Sequence, residues 1–138
     1  MTQHAKSTQV LQVPAKRLGA LLPGTLAVGD AVLELHKETT PNGGSHSKSF
    51  IAAWTKGGTD GQALIEIRPT SKVNTELSVS LARPYGARGM LWPRPARRRL
   101  AELFVRALAY EIETRHVEER SAFGVRRTSA ELVKARSA

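Results

Sequence analysis

Thr75–Arg115 reads TELSVSLARPYGARGMLWPRPARRRLAELFVRALAYEIETR, and two periodicities meet in it. In its first seven residues Leu77, Val79 and Leu81 alternate with Glu76, Ser78 and Ser80. That is the two-residue period of a strand with one apolar and one polar face. Pro84–Gly89 breaks the alternation, and Leu91-Trp92-Pro93 leads into Pro95, whose fixed φ suits the first turn of a helix. From there to about Arg120 the period is helical. Leu100, Leu103, Phe104, Ala107, Leu108 and Ile112 form an apolar stripe that Ala101 and Val105 widen. Twenty-odd helical residues are about 35 Å long at 1.5 Å per residue, enough to cross a five-stranded sheet.

Working back from Thr75, the chain repeats the strand pattern. Ala63, Ile65 and Ile67 alternate with Glu66 and Arg68. Lys48–Thr55 puts Phe50, Ala52 and Trp54 on one face and Ile51 and Ala53 on the other. Ala31, Leu33 and Leu35 alternate with Glu34 and His36. Pro41-Asn42-Gly43-Gly44 and Gly57-Gly58-Thr59-Asp60-Gly61 supply residues that tolerate the positive φ of hairpin turns, and Pro69–Asn74 turns the chain again. Four strands with short connections make an antiparallel meander. Thr8–Val13 (TQVLQV) reads as a further strand, expected at an edge or paired with the last one. Ala15–Leu22 reads as a short helix, with Leu18, Leu21 and Leu22 on one side, stopped by Pro23-Gly24. The expected fold is α+β: a curved antiparallel meander of 5–6 strands packed on one long C-terminal helix. Residues 1–120 form its single domain. Gly124 is expected to end the helix, leaving residues 121–138 as a basic tail, either a short helix or disordered.

The chain has 138 residues, the size of one ordinary domain. It has no cysteine, which removes disulfides, thiolate zinc sites and cysteine nucleophiles together. The polar start Met1–Thr8 lacks a secretory pattern, and no run approaches the roughly 20 apolar residues of a membrane span, so the cytoplasm is the expected compartment. The four histidines, His4, His36, His46 and His116, share no ligand spacing, and no catalytic motif or phosphate loop stands out; neither metal nor cofactor is expected. Lys and Arg total 21 against 12 Asp and Glu, a net charge of +9. Seven of the arginines (Arg83, Arg88, Arg94, Arg97, Arg98, Arg99 and Arg106) fall within residues 83–106 beside one acid, Glu102.

Strand, short helix, meander and long helix follow one another in the order of the helix-grip fold. Thr75–Arg115, with its final strand, glycine-containing loop, Trp-Pro element and long helix, resembles the C-terminal half of the START-like superfamily, especially the polyketide cyclase/dehydrase-type (SRPBCC) proteins. Thr8–Leu22 looks like the opening of the same family. The interval Ala15–Gly29 has room for only one short helix, so the chain resembles a shortened member. The resemblance implies an apolar cavity between sheet and helix that holds a lipid- or polyketide-like molecule, smaller or more open here than in a full-length member. It also implies a cyclase-type enzyme as an alternative.

The residues that would line such a cavity are Leu35, Phe50, Trp54, Ile65, Leu77 and Val79 on the sheet, with Phe104, Leu108, Glu111 and Arg115 on the helix. The same residues would equally make a filled core. Glu111 and Arg115, four apart in the favourable acid-before-base order, fall within the apolar arc, or reach water if the helix outruns the sheet. A second function class is binding of nucleic acid or an anionic surface through Arg88, Trp92, Arg94, Arg97, Arg98 and Arg99. In the bland alternative Trp92 plugs the end of the sheet where the helix begins. An open sheet face closed by a second copy, as a homodimer, is the remaining class.

Overall fold

The computed structural model describes residues 5–39, 47–84 and 92–137, the last stretch as backbone alone beyond Arg120. The expected Pro41–Gly44 turn, Arg88, His4 and His46 lie outside these residues. In chain order the elements are β1 (Ala5–Leu11), α1 (Ala15–Leu21), β2 (Thr25–Val28), β3 (Ala31–Thr39), β4 (Lys48–Lys56), β5 (Thr59–Pro69), β6 (Thr75–Leu81) and α2 (Arg94–Ser137). The six strands form one antiparallel sheet in the order β1-β6-β5-β4-β3-β2, curled into a half-barrel around α2. This is the α+β, helix-grip-like architecture, with β1 both at an edge and paired with the last strand.

The turns follow from backbone chemistry. β4 and β5 are joined by Gly57 and Gly58 alone, at φ +55° and +81°; both residues of this tight hairpin are left-handed, which only glycine adopts without strain. The strand therefore resumes at Thr59, before the end of the glycine-rich stretch. β2, four residues long, was not separable in sequence from the turn that precedes β3; Gly29 at φ +62° reverses the chain between them.

The concave face holds the core. Leu33, Phe50, Ala52, Trp54, Ile65, Ile67, Leu77, Val79 and Leu81 are buried from the sheet side, and Leu100, Ala101, Phe104, Val105, Leu108, Ala109 and Ile112 from α2. The helix stripe is rotated from the expected one: Leu103 is 46% exposed and Ala107 only half-buried, while Ala109 turns inward. The polar face of β6 also differs. Ser78 and Ser80 are buried, because β1 and β5 flank them closely. The Thr8 and Ser78 hydroxyls hydrogen-bond at 3.0 Å, and Lys6 reaches Glu66 across β6 at 3.9 Å.

α2 continues through Gly124 to Ser137, so the expected break is absent. One glycine costs a helix interior about 1 kcal/mol, which does not by itself end a helix. No helix among the described residues is long and apolar enough to cross a membrane.

Candidate functional site

The two ends of the curled sheet are built differently. At one end Trp54 and Trp92 meet edge to face, ring centroids 5.1 Å apart. The Trp54 indole N–H donates to the Ala82 carbonyl at 3.3 Å. Arg97, 4% exposed, donates from Nη1 to the Leu81 carbonyl at 2.9 Å and from Nε to the Trp92 carbonyl at 3.1 Å. Burial, then the neighbouring charges of Arg83 and Arg94, hold its pKa below the ordinary arginine value. This end is closed by a tryptophan pair and an arginine that ties the start of α2 to the end of β6.

Among the described residues the other end has no such clamp. A cleft of about 660 Å³ lies between the start of α1 (Pro14, Ala15, Lys16), the start of β4 (Ser47, Lys48) and the β5–β6 connection (Pro69, Ser71, Lys72). Each wall is fixed by local chemistry. The Thr75 hydroxyl donates to the Val13 carbonyl at 2.6 Å, which anchors the lead-in to α1 against β6. In the β5–β6 turn the Ser71 hydroxyl accepts from the amides of Val73 at 3.3 Å and Asn74 at 3.0 Å, a local side-chain turn that sets where Lys72 emerges. Lys48 pairs in register with Ile67 and shares a face with Phe50, so it is the outermost residue of the concave face of β4. Its side chain runs past Gly19 of α1, where an added Cβ would sit 3.6 Å from Nζ.

The charge of this cleft is one-sided. Lys16, Lys48 and Lys72 line it, and among the described residues no carboxylate does. The described ion pairs of Lys6 with Glu66, Arg17 with Glu119, Lys56 with Asp30, Arg68 with Glu76, Arg98 with Glu102 and Arg115 with Glu111 leave these three lysines out.

Of the residues expected around an interior cavity, Phe50, Trp54, Ile65, Leu77, Val79, Phe104 and Leu108 are packed in the core and Leu35 is half-buried against it. Glu111 and Arg115 pair with each other at 3.6 Å with nearly half of each side chain exposed, and Arg115 also donates to the Leu21 carbonyl at 3.3 Å. None of these ten residues is among the described lining of the cleft above or of four further surface clefts. Of the arginine cluster, Arg94, Arg98 and Arg99 are exposed and border a shallow depression with Pro95 and Glu102, whereas Arg97 faces inward. Arg97 therefore belongs to the sheet-end clamp and not to a basic surface. Among the described residues no group of His, Asp and Glu is placed to hold a metal ion.

Sequence reasoning passed over the lysines of the cleft because they come from three separate segments. One signal was present: Lys48 sits two residues before Phe50 in a strand whose Phe50, Ala52 and Trp54 face the core, so its parity already placed a lysine on the concave side.

No family model matches the sequence, and no curated protein matches it. Solved structures similar to it include the following two. A conserved protein from Geobacillus kaustophilus aligns over 83% of this chain and 95% of its own, with 11% identity and a TM-score of 0.49. The ZhuI aromatase/cyclase from Streptomyces sp. R1128 aligns over 81% of this chain and 94% of its own, with 15% identity and a TM-score of 0.40.

Proposed function

We propose that this protein is a non-enzymatic binder of a small, largely apolar molecule, which enters at the open end of the sheet. The observation that carries the reading is the asymmetry of the two ends: a clamp of Trp54, Trp92 and Arg97 at one, a cleft of about 660 Å³ at the other. That volume falls in the range of small-molecule sites, and Pro14, Ala15 and Pro69 give the cleft an apolar lining. The resemblance of Thr75–Arg115 to START-like proteins supports the same class. A ligand body reaching further, between sheet and α2, would displace packed side chains such as Phe50 and Ile67.

A neutral solvatochromic dye titrated into the protein tests this. Saturable binding that is lost on Ala15→Trp, with an unchanged melting temperature, is expected. A dye that binds the tryptophan variant as well as the parent would place the site elsewhere. Recovery of no apolar molecule by native mass spectrometry after exposure to a lipid extract would count against the class itself.

A second reading keeps one observation of its own. Arg94, Arg98 and Arg99 are exposed together on the first turns of α2, a geometry suited to phosphates. Binding to DNA, RNA or anionic vesicles should then fall steeply with salt and be lost in an Arg94→Gln, Arg99→Gln double variant. The cyclase-type reading draws no support from Glu111 and Arg115, which pair at the surface.

A further inference from the structure

We propose that the open cleft selects an anionic amphiphile: a carboxylate or phosphate head held by Lys16, Lys48 and Lys72, on an apolar body lying against Pro14 and Pro69. This rests on reading the cleft as the ligand entrance and adds the chemical class of what enters.

Three observations lead there. The first is the distribution of cations. Lys6 and Lys56 have carboxylate partners, whereas Lys16, Lys48 and Lys72, from three distant segments, converge on one cleft with no acid among its described lining residues. Like charges gathered without counter-ions repel, and an anion placed between them removes that cost.

The second is Lys48. It occupies the concave face, is half-buried, and follows the same alternation as Phe50, Ala52 and Trp54. An apolar residue would be the ordinary occupant of that position. A lysine there carries its charge to the mouth while its methylene stem covers apolar surface, a division that suits a ligand divided the same way. Its stem and ammonium lie alongside α1, within ordinary contact distance of a Cβ placed at Gly19.

The third is that the walls are braced. Lys72 follows a turn fixed by the Ser71 hydroxyl, and Lys16 follows a segment fixed by the Thr75–Val13 hydrogen bond. The backbone from which these two exposed lysines project is therefore set before binding.

The test compares decyl phosphate, decanoate and decanol at equal ionic strength by calorimetry on the intact chain. Both anions should bind about tenfold or more tightly than the alcohol, with the gap narrowing as salt rises. Lys48→Met, Lys16→Gln and Lys72→Gln should each weaken anion binding several-fold and leave decanol affinity unchanged, with melting temperatures confirming the fold. Equal affinity for anion and alcohol, unaltered in the lysine variants, overturns the inference while leaving the ligand-binding reading in place. Failure of all three ligands to bind overturns both. Vesicles containing phosphatidylglycerol separate a free amphiphile from a membrane headgroup: binding to vesicles but not to monomeric decyl phosphate would make the lysines a surface patch and overturn the cleft site.

Discussion

Gly61 is the residue whose lack of a side chain matters most. It stands opposite Trp54 in the β4–β5 ladder, and the indole lies against it: a Cβ there would come 2.6 Å from Nε1 and 2.8 Å from Cε2. The Trp54 ring is fully buried and cannot swing away without leaving Trp92. Gly61→Ala is therefore expected to destabilise the protein by about 1–3 kcal/mol through overpacking, and to alter the near-ultraviolet dichroism of the tryptophan pair. Denaturant unfolding with parental stability would show that the ring has room to move. Asp30 gives a second prediction. The hydrogen bond from Lys56 at 2.8 Å, and then its charge, hold the Asp30 carboxyl below its ordinary value. A folded-state pKa below the unfolded one contributes stability at pH values above the unfolded value, and that contribution is lost as pH falls through the folded one. NMR titration should find the Asp30 carboxyl returning to the ordinary range in Lys56→Met.

The turns and strands were the most legible elements. Alternation marked β3 to β6, and the glycine pair marked the β4–β5 hairpin, because both rest on short-range geometry. That hairpin supports a graded prediction. Gly57 and Gly58 are left-handed, and a Cβ would meet nothing within 4 Å at Gly58 and only Asp30 Oδ2 at 3.9 Å at Gly57, so the cost of substitution is conformational rather than steric. Gly58→Val should cost about 1–2 kcal/mol, and Gly57→Asn much less, since asparagine tolerates that region. Equal melting temperatures for the two variants would contradict the turn geometry. Other features were illegible for identifiable reasons. β3 carries an irregularity between Leu35 and Lys37, so Glu38 and not Lys37 pairs with Phe50; a strand's own sequence does not announce such a shift. Leu103 belongs to a helical stripe as readily as Leu100 does, and only the docking angle of α2 sends it outward. The cleft was hidden because its lysines are contiguous only after folding.

At the scale of the whole molecule, Arg97 joins the two layers at the closed end, where its guanidinium serves carbonyls of β6 and of the segment entering α2. Arg97→Ala leaves those acceptors without this donor and should cost about 2–3 kcal/mol. Arg97→Lys should recover only part of that, because a single ammonium does not reproduce the planar fork. Urea unfolding of the three proteins checks the order, and an alanine variant as stable as the parent would remove the clamp. Docking of α1 rests on the buried Leu18, with Leu21 and Leu22 packed against the core; the exposed contacts of Arg17 with Glu119 and Arg115 with the Leu21 carbonyl add little. The pairing of β1 with β6 has a temporal consequence. Thr8 and Ser78, hydrogen-bonded in the finished sheet, are 70 residues apart in the chain. At a synthesis rate of about 5–20 residues per second, β1 leaves the ribosome several seconds before its only strand partner exists. The β3–β4–β5 meander is able to form in that interval, whereas the first strand waits with both edges bare. Of the strands in the sheet, β1 is the one that waits longest for a neighbour.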